Sequence, residues 1–400
     1  MNHPSILELE LELHECQVSG VKCQGSRTDI PVCRQVGGTD ILVCHSIILF
    51  FCIALMLFAL GPASSRAETG QNFYSQLAGH WAPDLYQDTW FKPEGDYLVA
   101  FNADGDWIGR NNLDHFVAGK FKPYAAVVYY SVIESETHYF IYYCFYHAVD
   151  YDIWYMRPIP GTTHENDMEG ILVTAAKDPN DQWGKFRAME SLAHNLFHHY
   201  ANGDGIQPNP ESFEPAKLRD GSHVEVYIEG GGHGPYELHS HKSPYHRRDQ
   251  FRHGHGVVYR FTGKSESPQG PDDRNVGYDL VDFLAPDGIW DHRCGGDTFD
   301  LEKRMVYQPP AGRPGVPGSV SDCNDPPGII PLCFDGDLSG FANGADKAKP
   351  FWSWTGPNSS GEPRGAWGLD PAWTMSRHYK FEEPFSLNYV NNFYLGIKQP

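Results

Sequence analysis

The stretch His164-Glu165-Asn166-Asp167-Met168-Glu169 places one imidazole and three carboxylates within six residues. It follows a Pro/Gly turn, PIPGTT, and leads into EGILVTAA, which reads as a strand. In an extended chain alternate residues share a face. Asp167 and Glu169 then point the same way and Met168 faces the core, while His164 at the loop end folds back toward the two carboxylates. Such a donor set suits a hard or borderline divalent cation. A polar turn ahead of a strand accounts for the same letters without any metal.

Other residues offer weaker versions of this chemistry. Asn102, Asp104 and Asp106 alternate around Gly105, either as a small Ca²⁺ loop or as an Asp-Gly hairpin turn. Histidines recur at 194, 198, 199, 233, 239, 241, 246, 253 and 255. The pairs His239-x-His241 and His253-x-His255 would each present two imidazoles on one strand face, a geometry Zn²⁺ or Cu²⁺ can use. Histidines of a surface loop give the same spacing. His233 stands apart because its Gly-Gly-Gly-His-Gly setting lets backbone approach a ligand closely. His194 ends a predicted strand and can turn into the same cleft. No G-x-S-x-G elbow, H-E-x-x-H helix, P-loop or dinucleotide-binding glycine turn occurs in a fitting context, which counts against serine-hydrolase, zincin and nucleotide chemistry.

The elements that must position these residues read as β. Aromatic residues make up 14% of the chain and charged residues 20%, alongside 41 Gly and 30 Pro, a balance of short strands and tight turns. DYLVAF (96–101) is a predicted strand. AAVVYYSVIES (125–135) and THYFIYYCFYH (137–147) form a predicted hairpin, and 169–177 with 185–194 a second. Further strands are expected at 223–231, 256–263 and 278–285. No long helix-period segment appears, and residues 68–92 read as a polar lead-in with one helical turn. The expected class is all-β, an antiparallel β-sandwich with long loops over 68–304. The Pro/Gly- and Trp-rich remainder, 305–400, is expected to wrap irregularly over it.

The formal net charge of −20 argues against nucleic-acid binding and is compatible with cation binding. Ile47 to Leu60 (IILFFCIALMLFAL) has the length of a signal-peptide core, and Ser65-Arg66-Ala67 a cleavage signal, so residues 1–67 read as a signal region with an over-extended start. Export with cleavage near Ala67 is the expected fate, and a membrane anchor at 47–60 the alternative. Cys144, Cys294, Cys323 and Cys333 then remain, with Cys323–Cys333 the expected disulfide and Cys144 either paired with Cys294 or a free buried thiol.

The run YFIYYCFYHAVDYD, followed by HENDMEGILVTA, resembles the motif region of the necrosis- and ethylene-inducing-like proteins. It is also similar to that of proteins related to vacuolar protein sorting-associated protein 62. VEVYIEGGGHGPY (224–236) resembles a strand and turn of the latter group. The resemblance covers about residues 95–290. It implies a β-sandwich whose divalent cation is held by His164, Asp167, Glu169 and an earlier Asp, either Asp150 or Asp152, with His233 from the second motif. Met168 stands where those families have Trp, and Asn166 where the necrosis-inducing proteins have His.

Three functions are compatible with these readings. The cation could bridge to a glycan or a lipid headgroup, with peripheral membrane contact. It could serve a hydrolase or lyase acting on an extracellular polymer, with His233 or His194 as base. It could be purely structural in an envelope protein. Carboxylates with one imidazole favour Mg²⁺, Ca²⁺ or Mn²⁺, and recruitment of His233 would shift preference toward Zn²⁺.

Overall fold

The computed structural model describes residues 63–400 except 152, 155–156, 159–162, 195, 210–211, 244–250, 312, 314, 322, 324–327, 337–348, 356–360 and 399–400. The signal-like segment 47–60, Asp152 and His246 lie outside the described residues. Among those described, no helix is long and apolar enough to cross a membrane.

Nine strands carry the fold over the compact unit 70–400. They are β1 (Asp84–Asp88), β2 (Val127–Ser135), β3 (His138–Asp150), β4 (His164–Asp178), β5 (Asp181–Ala193), β6 (Leu196–Ala201), β7 (His223–Ile228), β8 (Gly256–Phe261) and β9 (Val276–Asp282). They line up as β7-β1-β8-β9-β2-β3-β4-β5-β6, and short strands at the margins bring the sandwich-like sheet to 13. Both predicted hairpins form, as β2–β3 and β4–β5.

The antiparallel expectation needs correction, because β7–β1, β8–β9 and β9–β2 pair in parallel. The cause is chain order: β1 slots between β7 and β8, partners far along the sequence, and no tight turn dictates direction there. The all-β expectation also yields to four helices among the described residues: α1 (Ala63–His80), α2 (Asn112–Val117), α3 (Ala366–Leu369) and α4 (Pro371–His378). Where one helical turn is expected in the lead-in, α1 runs 18 residues. DYLVAF is not a strand. Its Leu98, Val99 and Phe101 are buried, and its amides are met singly, Val99 by the Tyr146 carbonyl and Phe101 by the Tyr129 hydroxyl. DLYQD, mostly polar, and LFHHYA, interrupted by two histidines, are strands that the sequence conceals.

Core strands β3 and β4 are covered on both faces, which is why the first reads as a nearly continuous apolar run. On one face Tyr143 donates to the Ala78 carbonyl of α1, 2.7 Å away. On the other, Tyr142 stacks on Phe351 and donates to the Trp367 carbonyl of α3. Trp352, Trp354 and Trp367 are fully buried, so much of the tail after 305 is packed core rather than surface decoration.

The disulfide joins Cys294 to Cys323, not Cys323 to Cys333. Cys144 lies in the middle of the β2–β3–β4 ladder, fully buried and free, and Cys333 is also a free buried thiol. Proximity in sequence misleads here, because Ile329–Pro331, just ahead of Cys333, is held as a strand against Arg304–Val306 while Cys323 bonds to Cys294.

Candidate metal centre

The β3–β4 ladder sets Asp150 directly opposite His164, and His147 opposite Asp167. Residues three apart in a regular strand face opposite sides, so His164 and Asp167 should not converge. Asn166 removes the obstacle: its φ of 57° is left-handed, which Asn tolerates better than most residues. Its amide pins the kink. Asn166 Oδ1 accepts from Asn112 Nδ2 and from the Tyr146 hydroxyl, both at 2.7 Å. Its Nδ2 donates to the carbonyls of Gly109 (3.0 Å) and Asp335 (2.7 Å). Gly109 is required in turn, since a Cβ there would sit 2.4 Å from the Asp335 oxygen.

Asp150, His164 and Asp167 thereby each bring a ligand atom within 4.8 Å of the others, all three buried. The fit to a cation is chemical as well as spatial. His164 Nδ1 faces the Glu165 carbonyl at 3.1 Å, so that nitrogen carries the proton and donates. Nε2 is then left facing the carboxylates, 3.4 Å from Asp150 Oδ2 and without a hydrogen bond among the described residues. A backbone carbonyl that fixes the tautomer of a metal-binding imidazole is a familiar arrangement. Asp167 Oδ1 is buried without a hydrogen bond, and its Oδ2 accepts from His233 Nδ1 at 2.9 Å. Burial opposes a charge on His164, but Asp150 and Asp167 outweigh it and raise its pKa.

Glu169 shares the strand face of Asp167 and is buried, but it stands outside this three-residue cluster. Its Oε1 accepts the His194 backbone N–H at 3.1 Å. His233 is drawn to the site, held at φ 52° in the glycine-rich turn. Both its nitrogens are engaged, Nδ1 by Asp167 and Nε2 by Asp96 Oδ1 at 3.2 Å. Burial works against its charge, yet the two carboxylates push its pKa up to about 10. His194 Nε2 pairs with Glu229. Gly234 permits that pair, because a Cβ would stand 2.8 Å from the imidazole.

Sequence reasoning missed two residues of the centre. His147 stacks on His233 with ring centroids 3.7 Å apart and 7° between planes, and donates from Nε2 to Gln87 Oε1. Burial and the neighbouring His233 hold His147 neutral, well below the ordinary histidine pKa. Asp96 accepts from the backbones of Trp90 and Gly231, tying the His233 turn to the 90–96 loop. The alternation of Tyr143, Phe145 and His147 opposite Asp167 is the signal that could have found His147. Asp96 carried none, since DYLVAF reads as a strand.

The histidines of the 253/255 pair part company. His253 binds Asp88, and His255 binds Asp272, so this pair does not share a ligand. His239 contacts Glu237. Asp104, Asp106 and His115 do gather, at a loop leading into α2 rather than at a hairpin. There both aspartates also cap backbone N–H groups, of Asp106 and Ile108.

No family model matches the chain, and no curated protein matches it. Solved structures of necrosis-inducing-like proteins show distant similarity over about half of it. The non-toxic HaNLP3 protein is 16% identical over 53% of this chain and 75% of that one, with a TM-score of 0.27. NLPPya in complex with mannosamine is 15% identical over 52% and 71%, with a TM-score of 0.27. NLPPya in complex with glucosamine is 16% identical over 52% and 71%, with a TM-score of 0.26.

Proposed function

We propose that this is an exported protein whose Asp150, His164 and Asp167 hold a divalent cation, and that the cation recognises vicinal hydroxyls of a glycan or lipid headgroup. The observation that carries the reading is the convergence of those three buried donors, with His164 Nε2 and Asp167 Oδ1 making no hydrogen bond among the described residues. Two carboxylates and one imidazole favour Mg²⁺, Ca²⁺ or Mn²⁺. His233 does not add a second nitrogen, because Asp167 and Asp96 occupy both of its own.

Binding is preferred over hydrolysis for a related reason. A general base needs a lone pair facing the substrate. His233 offers none, since both of its ring nitrogens are engaged by carboxylates. Nearby, Trp90 stacks on His253 while its neighbour Phe91 is 66% exposed, an aromatic edge of the kind that packs on sugar rings.

Replacing Asp167 by Ala is expected to abolish stoichiometric Mg²⁺, Ca²⁺ or Mn²⁺ in purified protein, read by elemental analysis. Binding to immobilised glycans and to glycolipid vesicles should vanish on chelation and return with the metal. Unchanged metal content in the Asp167→Ala protein would refute the site. Glycan binding that ignores the chelator would refute the role assigned to the cation.

A further inference from the structure

The opposite face of the same sheet holds a second cluster, built from Glu190 of β5, His199 of β6 and His378 at the end of α4. Glu190 and His199 are cross-strand partners. Glu190 pairs with Leu172 and Ser191 with Ile171. Since Ile171 shares its face with Asp167 and Glu169, Glu190 points away from the first centre. The C-terminal segment covers it there, supplying His378, Trp367 and Glu362.

The geometry centres on one oxygen. His199 Nδ1 and His378 Nδ1 each lie 2.7 Å from Glu190 Oε1. The rings are 4.6 Å apart at 67°, so they approach that oxygen from different directions. Trp367 Nε1 donates to Glu190 Oε2 at 2.7 Å, which holds the carboxylate with Oε1 turned toward the imidazoles. His378 Nε2 is 2.9 Å from Glu362 Oε1. A carboxylate only accepts, so the proton on that side sits at Nε2. Such a partner favours the tautomer whose Nδ1 lone pair is directed at Glu190. Carboxylate–imidazole pairs of this kind orient histidines in zinc sites.

We infer that Glu190, His199 and His378 form a second metal site, selective for Zn²⁺, which clasps the C-terminal segment to the sheet. Two nitrogens and one oxygen suit a borderline ion, in contrast to the oxygen-rich first centre, and leave a fourth position for water. In the metal-free protein, protons on Nδ1 bridge the imidazoles to Glu190. Zinc takes the place of those protons: the one on His378, whose Nε2 keeps its own against Glu362, is released, and the one on His199 leaves Nδ1 so that the ring coordinates as neutral imidazole. Glu362 and Trp367 lie outside the coordination sphere and act as positioning residues.

The test uses the full chain with Asp150→Asn and Asp167→Asn, which removes the first centre and makes the result independent of it. After chelation and dialysis against Zn²⁺, about one zinc per chain is expected, with a rise in Tm. Adding His378→Gln should bring zinc to background and remove the rise. Glu362→Gln keeps all three ligands and should weaken zinc affinity by about 10–100-fold. Should either the double or the triple variant not fold, the wild-type protein carrying one equivalent of zinc is examined by X-ray absorption at the zinc edge. Two imidazoles are expected, whereas the first centre can supply only His164. A double variant that takes up no zinc, zinc retained after His378→Gln, unchanged affinity in Glu362→Gln, or a spectrum with a single imidazole would each overturn the inference in favour of a hydrogen-bonded network alone.

Discussion

Asn166 shows how much a single residue settles at this site. Its left-handed backbone turns His164 toward Asp167, and its amide makes four hydrogen bonds to three separate segments. Asn166→Ala removes all four bonds and adds a strained conformation, so a loss of about 2–3 kcal/mol of stability is expected in urea unfolding. Asn166→Gly keeps the φ but loses the bonds. The glycine variant should therefore bind the cation more tightly than the alanine variant when both are titrated calorimetrically, and equal affinities would show that the kink is irrelevant to the site. In the sequence, strand alternation singles out Asp167 together with Glu169, His164 enters as the loop end beside them, and only the motif resemblance offers Asp150, with Asp152 as its alternative. The sequence did not reveal why His164 converges with Asp167, since Asn166 looked like an ordinary polar letter. His147 was hidden for the opposite reason: an imidazole among aromatics reads as core.

Among elements, β3 is the spine, paired along its length with β4 and carrying His138 at one end and Asp150 at the other. His138 is fully buried, packed 4.5 Å from the Phe385 ring, with Glu383 3.6 Å away. Burial lowers its pKa despite that carboxylate. The unfolded chain therefore takes up a proton near pH 6.5 that the native state resists, and stability falls as pH drops below 6.5. His138→Gln has no proton to take up. Its urea midpoint should fall less than the wild type's between pH 8 and pH 5, and identical slopes would contradict the assignment. The long strands were legible because β-branched and aromatic runs bounded by turns leave few alternatives. The short ones were not: Asp84–Asp88 is mostly polar and Leu196–Ala201 is interrupted by two histidines, and both become strands through the neighbours that bury them. DYLVAF failed for the converse reason, burying its apolar groups without joining a ladder.

At the scale of the molecule, the tail after residue 305 is tied to the preceding chain and within itself by more than packing. Cys294–Cys323 closes a loop of 29 residues. The chain-entropy relation gives such a loop about 3–4 kcal/mol. Replacing both cysteines by Ser should lower the unfolding free energy by that order, and a variant as stable as the wild type would mean the loop is already ordered in the unfolded chain. Arg313 and Asp370 add a buried ion pair, with Tyr389 donating to the same carboxylate. Neither bond could be read from residue spacing, because each depends on where the wrap lies over the sheet.

The place of β1 has a consequence for how the protein is made. Strand Asp84–Asp88 emerges early, yet its partners are Glu225–Ile228 and Gly256–Tyr259. At ordinary synthesis rates the roughly 170 residues between it and its last partner take about 10–30 s to appear. Until Glu225–Ile228 emerges the strand has two unsatisfied edges, and one stays open until Gly256–Tyr259 follows, so the sheet cannot close before then. A newborn chain is thus obliged to wait in an incomplete state, open to mispairing with other copies. Its yield should depend on chaperones that shield the first hundred residues more than on the final stability of the fold.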